Sequence, residues 1–123
     1  MTNAINWFEI PVTNFARAKT FYETILGEPI TEIPHPQMKY GMLSADMEKG
    51  VGGGIVQGDG YKPSADGVTI YLNGGDNLQV ILDKVEKNGG KILVPKTPHA
   101  DESGYFALFL DSEGNKMGLH SQH

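Results

Sequence analysis

The sequence predicts an α+β protein built from two βαβββ modules packed as a pseudo-twofold pair. Three observations carry that prediction. An apolar strand-like run, a segment with helical periodicity and a glycine stop occur in that order twice, roughly 60 residues apart. Three further strand-like runs follow each copy, and a polar, turn-rich stretch separates the two. Two copies of this length are too few and too long for a solenoid, which leaves two modules packed against each other.

Module one covers about residues 1–57. Its first strand is expected over residues 5–12, where Trp7, Phe8, Ile10 and Val12 supply apolar weight. Thr13 and Asn14 then lead into a helix over 15–26, whose apolar face is Phe15, Ala18, Tyr22, Ile25 and Leu26 at steps of three and four. Gly27 ends it, because glycine enters the left-handed C′ conformation without a Cβ penalty. Strands over 28–33, 39–44 and 51–57 complete the module, separated by His35-Pro36 and by residues 46–50.

Residues 58–67, with Lys62-Pro63-Ser64, read as the linker. Module two, 68–123, opens with a strand over 68–73 and continues into a helix over 77–88, with Leu78, Ile81, Leu82 and Val85 on its apolar face and Gly89-Gly90 as its stop. Asp76 and Gln79 have the spacing of a capping box. Strands over 91–95, 105–111 and 116–120 follow, the last two joined by the turn Ser112-Glu113-Gly114-Asn115.

A length of 123 residues suits a single domain with one core. Met1 to Asn6 lacks the charged start and long apolar run of a signal peptide, and no stretch approaches the ~18 apolar residues of a membrane span. A soluble, cytoplasmic protein is expected. With no cysteine in the chain, disulfides, thiolate metal sites and cysteine nucleophiles are excluded, so histidine or carboxylate must do any metal work. A net charge of −5 with ten scattered Lys and Arg argues against nucleic acid as a partner. The glycines of residues 50–54 do not follow a strand and open a helix, so they lack the context of a phosphate loop. No serine nucleophile elbow occurs either.

Phe8-Glu9-Ile10-Pro11-Val12, followed by Ala18-Lys19-Thr20-Phe21-Tyr22-Glu23-Thr24-Ile25-Leu26-Gly27, resembles the opening of the vicinal oxygen chelate superfamily, the group of glyoxalase I, the extradiol dioxygenases and the bleomycin-resistance proteins. The stretch from Tyr105 to Asn115 resembles the same family's aromatic strand and Asp-Pro-Glu-Gly-Asn turn, with Ser112 in place of the proline. The resemblance covers nearly the whole chain. It implies strands that curl as a mixed sheet around a central cleft, often completed by a homodimer. For metal-dependent members it also implies His or Glu ligands on the first and last strand of each module, which fall here at Trp7, Gly54, Thr69 and Gly118. None of the four supplies a metal ligand, so no metal and no cofactor are expected, and glyoxalase I or dioxygenase chemistry is disfavoured. The surviving route to a metal runs through Glu9 and His120, two positions along in the same strands, with a third ligand from loop residue His35 or His99.

Gly54 and Gly118 either clear the floor of a cleft or permit the curvature of a closing sheet. Trp7 offers an indole that can stack on a planar or cationic ligand and donate one hydrogen bond, or it fills space in the core. Thr69 and Tyr71 share one face of their strand and, with Glu9 and His120, complete a candidate ligand-binding set. The reading that results is a metal-independent protein binding a small organic molecule. Its alternative is a divergent lyase or isomerase that uses Glu9 for proton transfer.

Overall fold

The computed structural model describes residues 3–123, so the first two residues of module one lie outside the described residues. The elements run β1 (Trp7–Pro11), α1 (Phe15–Leu26), β2 (Thr31–Ile33), β3 (Lys39–Met42), β4 (Gly52–Gln57), β5 (Ile70–Asn73), α2 (Gln79–Val85) with a 3₁₀ tail Glu86–Asn88, β6 (Lys91–Pro98), β7 (Tyr105–Leu110) and β8 (Lys116–Ser121). The chain divides into two compact units, one ending at Pro63 and the other running from Ser64 to His123. Each is βαβββ, and the expected α+β class holds. No helix among the described residues is long and apolar enough to cross a membrane.

In the first unit the strand order is β1-β4-β3-β2, with β1 parallel to β4 and the other pairs antiparallel. Asn14 caps α1 by accepting a hydrogen bond from Arg17 N–H at 3.1 Å, and Gly27 ends it at φ 71°. The helix buries Phe15, Ala18, Phe21, Tyr22 and Ile25 against the sheet face that presents Ile10 and Ile55. Phe21 joins the expected stripe, while Leu26 is only half-buried. Each large side chain enclosed in this way contributes about 1.5–3 kcal/mol. Glu28 and Pro29 do not extend β2 as expected, because Pro29 has no N–H and the Ile30 N–H is taken by the Glu23 carboxylate at 2.8 Å.

In the second unit the order is β5-β8-β7-β6, again with one parallel pair, β5 with β8. Leu72, Ala107, Phe109, Met117 and Leu119 form the face covered by Leu78, at the N-cap of α2, and by Leu82 and Val85 within it. The capping box does not form. The helix starts later, at Gln79, and Asn77 rather than Asp76 provides the acceptor, its Oδ1 taking the Gln79 N–H at 3.0 Å. Ser121 reaches across from β8 to accept the buried Leu78 N–H at 3.0 Å. Beyond Val85 the last turn tightens to 3₁₀ before Gly89 at φ 102°. β6 runs three residues past its expected end and contains Pro95 and Pro98, which an edge strand with two register shifts accommodates.

Residues 111–115 form a closed turn. Asp111 Oδ1 accepts from Glu113 N–H at 2.8 Å and Asn115 N–H at 2.9 Å, its Oδ2 accepts from Asn115 Nδ2 at 3.0 Å, and Asn115 Oδ1 accepts from Ser64 N–H at 3.0 Å. Gly114 sits at φ 88°, where a side chain would be strained. Ser112 takes the place of the family's proline without disturbing these bonds, donating instead to Glu113 at 3.0 Å.

Candidate functional site

Alternation along the strands of the first unit sends Phe8 and Ile10 toward the helix and Trp7 and Glu9 to the opposite, helix-free face. Gly41 faces the helix, where a Cβ would meet Ile30 and Phe15, so its neighbour Tyr40 joins Trp7 and Glu9. Trp7 Nε1 donates to the Tyr40 hydroxyl at 2.6 Å, and that hydroxyl donates to Glu9 Oε2 at 2.8 Å. The three side chains form a relay across the sheet. Glu9 is paired with Gly54 in the ladder, and a Cβ at Gly54 would lie 2.6 Å from the Tyr40 ring and 2.8 Å from the Gly41 carbonyl oxygen. Gly54 is therefore the seat of the Tyr40 ring.

Burial is the largest influence on Tyr40 and raises its pKa above the ordinary tyrosine value. The hydrogen bond from Trp7 opposes the shift, and the bond to Glu9 and the carboxylate's charge reinforce it. The hydroxyl thus remains a donor at neutral pH. Glu9 is exposed, and among the described residues its Oε1 takes no hydrogen bond from the protein.

The second unit's helix-free face carries Tyr71, Gly118 and His120. Tyr71 pairs with Gly118, and a Cβ on that glycine would stand 2.5 Å from the Tyr71 ring. His120 pairs with Asn73 on one side and Phe106 on the other. Tyr71, Asn73, Gly75, His120 and Gln122 line an open depression of about 410 Å³. Thr69 falls just outside β5, half-buried, because the ladder to β8 begins at Ile70.

The expected set thus separates by unit: Trp7, Glu9 and Gly54 gather in the first, and Tyr71, Gly118 and His120 in the second. Tyr40 was not among the expected residues. Its signal in the sequence was an aromatic at an alternating position of a strand candidate, two residues from Met42 and on the face of the glycine-rich strand beside it.

A family model described as the Glyoxalase/Bleomycin resistance protein/Dioxygenase superfamily matches residues 4–119. The chain belongs to that superfamily. Among solved structures, a glyoxalase/bleomycin resistance protein from Albidiferax ferrireducens T118 is 16% identical with a TM-score of 0.76, over 98% of this chain and 100% of that one. A glyoxalase/bleomycin resistance protein/dioxygenase family enzyme from Burkholderia phytofirmans PsJN is 15% identical with a TM-score of 0.69, over 96% and 98%. A glyoxalase I mutant from Zea mays is 22% identical with a TM-score of 0.71; it matches 95% of this chain, which spans only 45% of the maize protein. No curated protein matches the chain in sequence. Identities this low establish the fold alone.

The metal that glyoxalase and dioxygenase relatives imply does not fit the residues at the family positions. Trp7 offers only an N–H donor, already engaged by Tyr40. At Gly54 and Gly118 a longer side chain would enter the space held by the Tyr40 and Tyr71 rings. Among the described residues no group of three or more His, Asp or Glu is arranged to hold a metal ion.

Proposed function

We propose that this superfamily member binds a small organic molecule without a metal, on the helix-free face where Trp7, Tyr40 and Glu9 meet. The Trp7–Tyr40–Glu9 relay is the observation that carries the reading. It fixes an indole and a phenol as a rigid aromatic wall and holds one carboxylate oxygen in place while the other stays open to a ligand donor. Recognition by such a set favours planar molecules bearing a cationic or hydrogen-bond-donating edge. The kinship with bleomycin-resistance proteins agrees with a binding role, although the same scaffold hosts several chemistries. In this reading the two units act as one domain of a cytoplasmic homodimer, with Tyr71, Thr69, Gly118 and His120 contributing a second set of ligand contacts.

Glu9 favours one alternative, a divergent lyase or isomerase. An exposed carboxylate oriented by a tyrosine that keeps its proton is arranged to accept a proton from a bound substrate.

Native mass spectrometry of the protein purified without chelator is the first test, followed by calorimetric titration with a panel of planar organic cations and neutral aromatics. A retained organic adduct, or saturable binding lost in Trp7→Ala, supports the binding reading, and the spectrum also gives the subunit count. Absence of any adduct and of any saturable binding overturns it. Glu9→Gln separates the two readings. A binder loses affinity for cationic ligands, keeps most of it for neutral ones and turns over neither, whereas an enzyme that uses this carboxylate as base loses turnover while still binding.

A further inference from the structure

The second unit brings together two histidines that lie 21 positions apart in the sequence, and the proposed function uses only one of them. The His99 ring lies 5.3 Å, centroid to centroid, from the His120 ring at a tilt of 38°, and 5.0 Å from the Phe106 ring on the neighbouring strand. His99 is held by its backbone: its N–H donates to the Gly104 carbonyl at 2.9 Å, and its carbonyl accepts from Glu102 N–H at 3.1 Å. His120 is fixed within β8. Both side chains are half-buried, and among the described residues neither imidazole makes a hydrogen bond to the protein, while the Asp101 carboxylate interacts electrostatically with His99. Stacking alone would be served by any ring. Two imidazoles held together with uncommitted nitrogens, on a fixed strand and a pinned loop, have the chemistry of a chelating pair.

We infer that His99 and His120 form a two-imidazole site for a borderline divalent cation of the copper, nickel or zinc type. Two imidazoles bound at about 2.1 Å to one ion have centroids about 4.5 Å apart in a square-planar sphere and about 5 Å apart in a tetrahedral one; the 5.3 Å found here brings the pair within reach of one ion once side-chain rotation turns a nitrogen of each toward it. Imidazole nitrogen selects these ions over hard magnesium and calcium. Gly104 keeps the loop clear of the pair, since a Cβ there would stand 3.2 Å from His120 Nε2. With only two protein ligands, water or a bound molecule completes the coordination sphere. The site lies in the unit that does not contain Trp7; it shares His120 with the second set of contacts proposed above but is independent of the Trp7–Tyr40–Glu9 relay.

Calorimetric titration of the untagged protein with CuCl₂, NiCl₂ and MgCl₂ tests it. The expected result is one equivalent of copper or nickel per chain, copper bound more tightly, and no heat from magnesium. His99→Gln and His120→Gln should each lower copper affinity by more than the roughly 10–100-fold that loss of an outer-shell partner costs. His35→Gln and His123→Gln should leave it unchanged. The electron paramagnetic resonance spectrum of the one-to-one copper complex provides a readout that needs no variant, and should show superhyperfine coupling to two nitrogens. Binding that survives either His99→Gln or His120→Gln, copper coupled to one nitrogen, or no saturable binding overturns the site.

Discussion

Tyr40 ties together two residues that the sequence marked and one backbone feature that it marked for another reason. Its hydroxyl takes the Trp7 N–H and gives its own proton to Glu9, and its ring occupies the space that Gly54 leaves. Tyr40→Phe should cost about 1 kcal/mol, chiefly through the half-buried Trp7 N–H left without its acceptor, because the exposed Glu9 regains water. The pH dependence has a definite sign. Folding raises the Tyr40 pKa, so the unfolded chain loses this proton first and stability declines as pH rises beyond the usual tyrosine value of about 10. Urea unfolding between about pH 9 and pH 11 should show a shallower decline in Tyr40→Phe than in the parent. A second comparison weighs the two glycines. Alanine at Gly54 meets a backbone carbonyl as well as the Tyr40 ring, and should cost about 1–3 kcal/mol. Alanine at Gly118 has the Tyr71 ring as its three nearest neighbours, a side chain 50% exposed that can swing outward, so its cost in the same unfolding measurement should be smaller. Equal losses would mean that Tyr71 is held as firmly as Tyr40.

The helices and strands were largely legible because their signals are local. Asn14 and Gly27 mark the ends of α1 where the structure puts them, and the β7–β8 turn lies where its Glu-Gly-Asn sequence predicts. The failures arise where a distant residue decides. Asp76 and Gln79 have capping-box spacing, yet Asn77 takes the Gln79 N–H and Ser121, 43 positions from Leu78, takes the buried Leu78 N–H at the start of α2. β2 shortens because a helix carboxylate takes the Ile30 N–H, and β6 continues through Pro95 to Pro98 because it is an edge. At the site, Trp7, Glu9 and Gly54 were readable from strand parity, but Tyr40 was not, since its role depends on which strand lies beside the glycines. Ser121→Ala should therefore destabilise the second unit by about 1–3 kcal/mol through a buried N–H left unsatisfied. Asp111→Ala should cost at least as much, because the lost carboxylate accepts three hydrogen bonds inside a buried turn. Chemical unfolding monitored by circular dichroism measures both. A neutral Ser121→Ala would mean that water reaches the start of α2 and replaces the hydroxyl.

Across the whole molecule, one βαβββ plan is used twice and furnished differently each time. In the first unit the ring over the central-strand glycine comes from β3, as Tyr40, and in the second from β5, as Tyr71. The repeated scaffold accounts for the superfamily fold at identities of 15–22%, whereas the furnishing decides what the chain does. Neither glycine supplies the ligand side chain of metal-dependent relatives, and aromatic rings hold the space beside both, which sets a test for the protein as a whole. Trp7 is the sole tryptophan, so its emission reports on the proposed binding face without a label. Exhaustive dialysis against a chelator should leave the emission response to an organic ligand unchanged, and later addition of zinc or nickel should not enlarge it. Copper or nickel binding at His99 and His120 would be abolished by the same chelator, so one preparation separates the two sites: an organic ligand insensitive to metal at Trp7, and a metal requiring both histidines in the other unit. Loss of the Trp7 response on dialysis, with recovery on adding metal, would show that a metal supports this face despite its residues, and the metal-independent reading would fall.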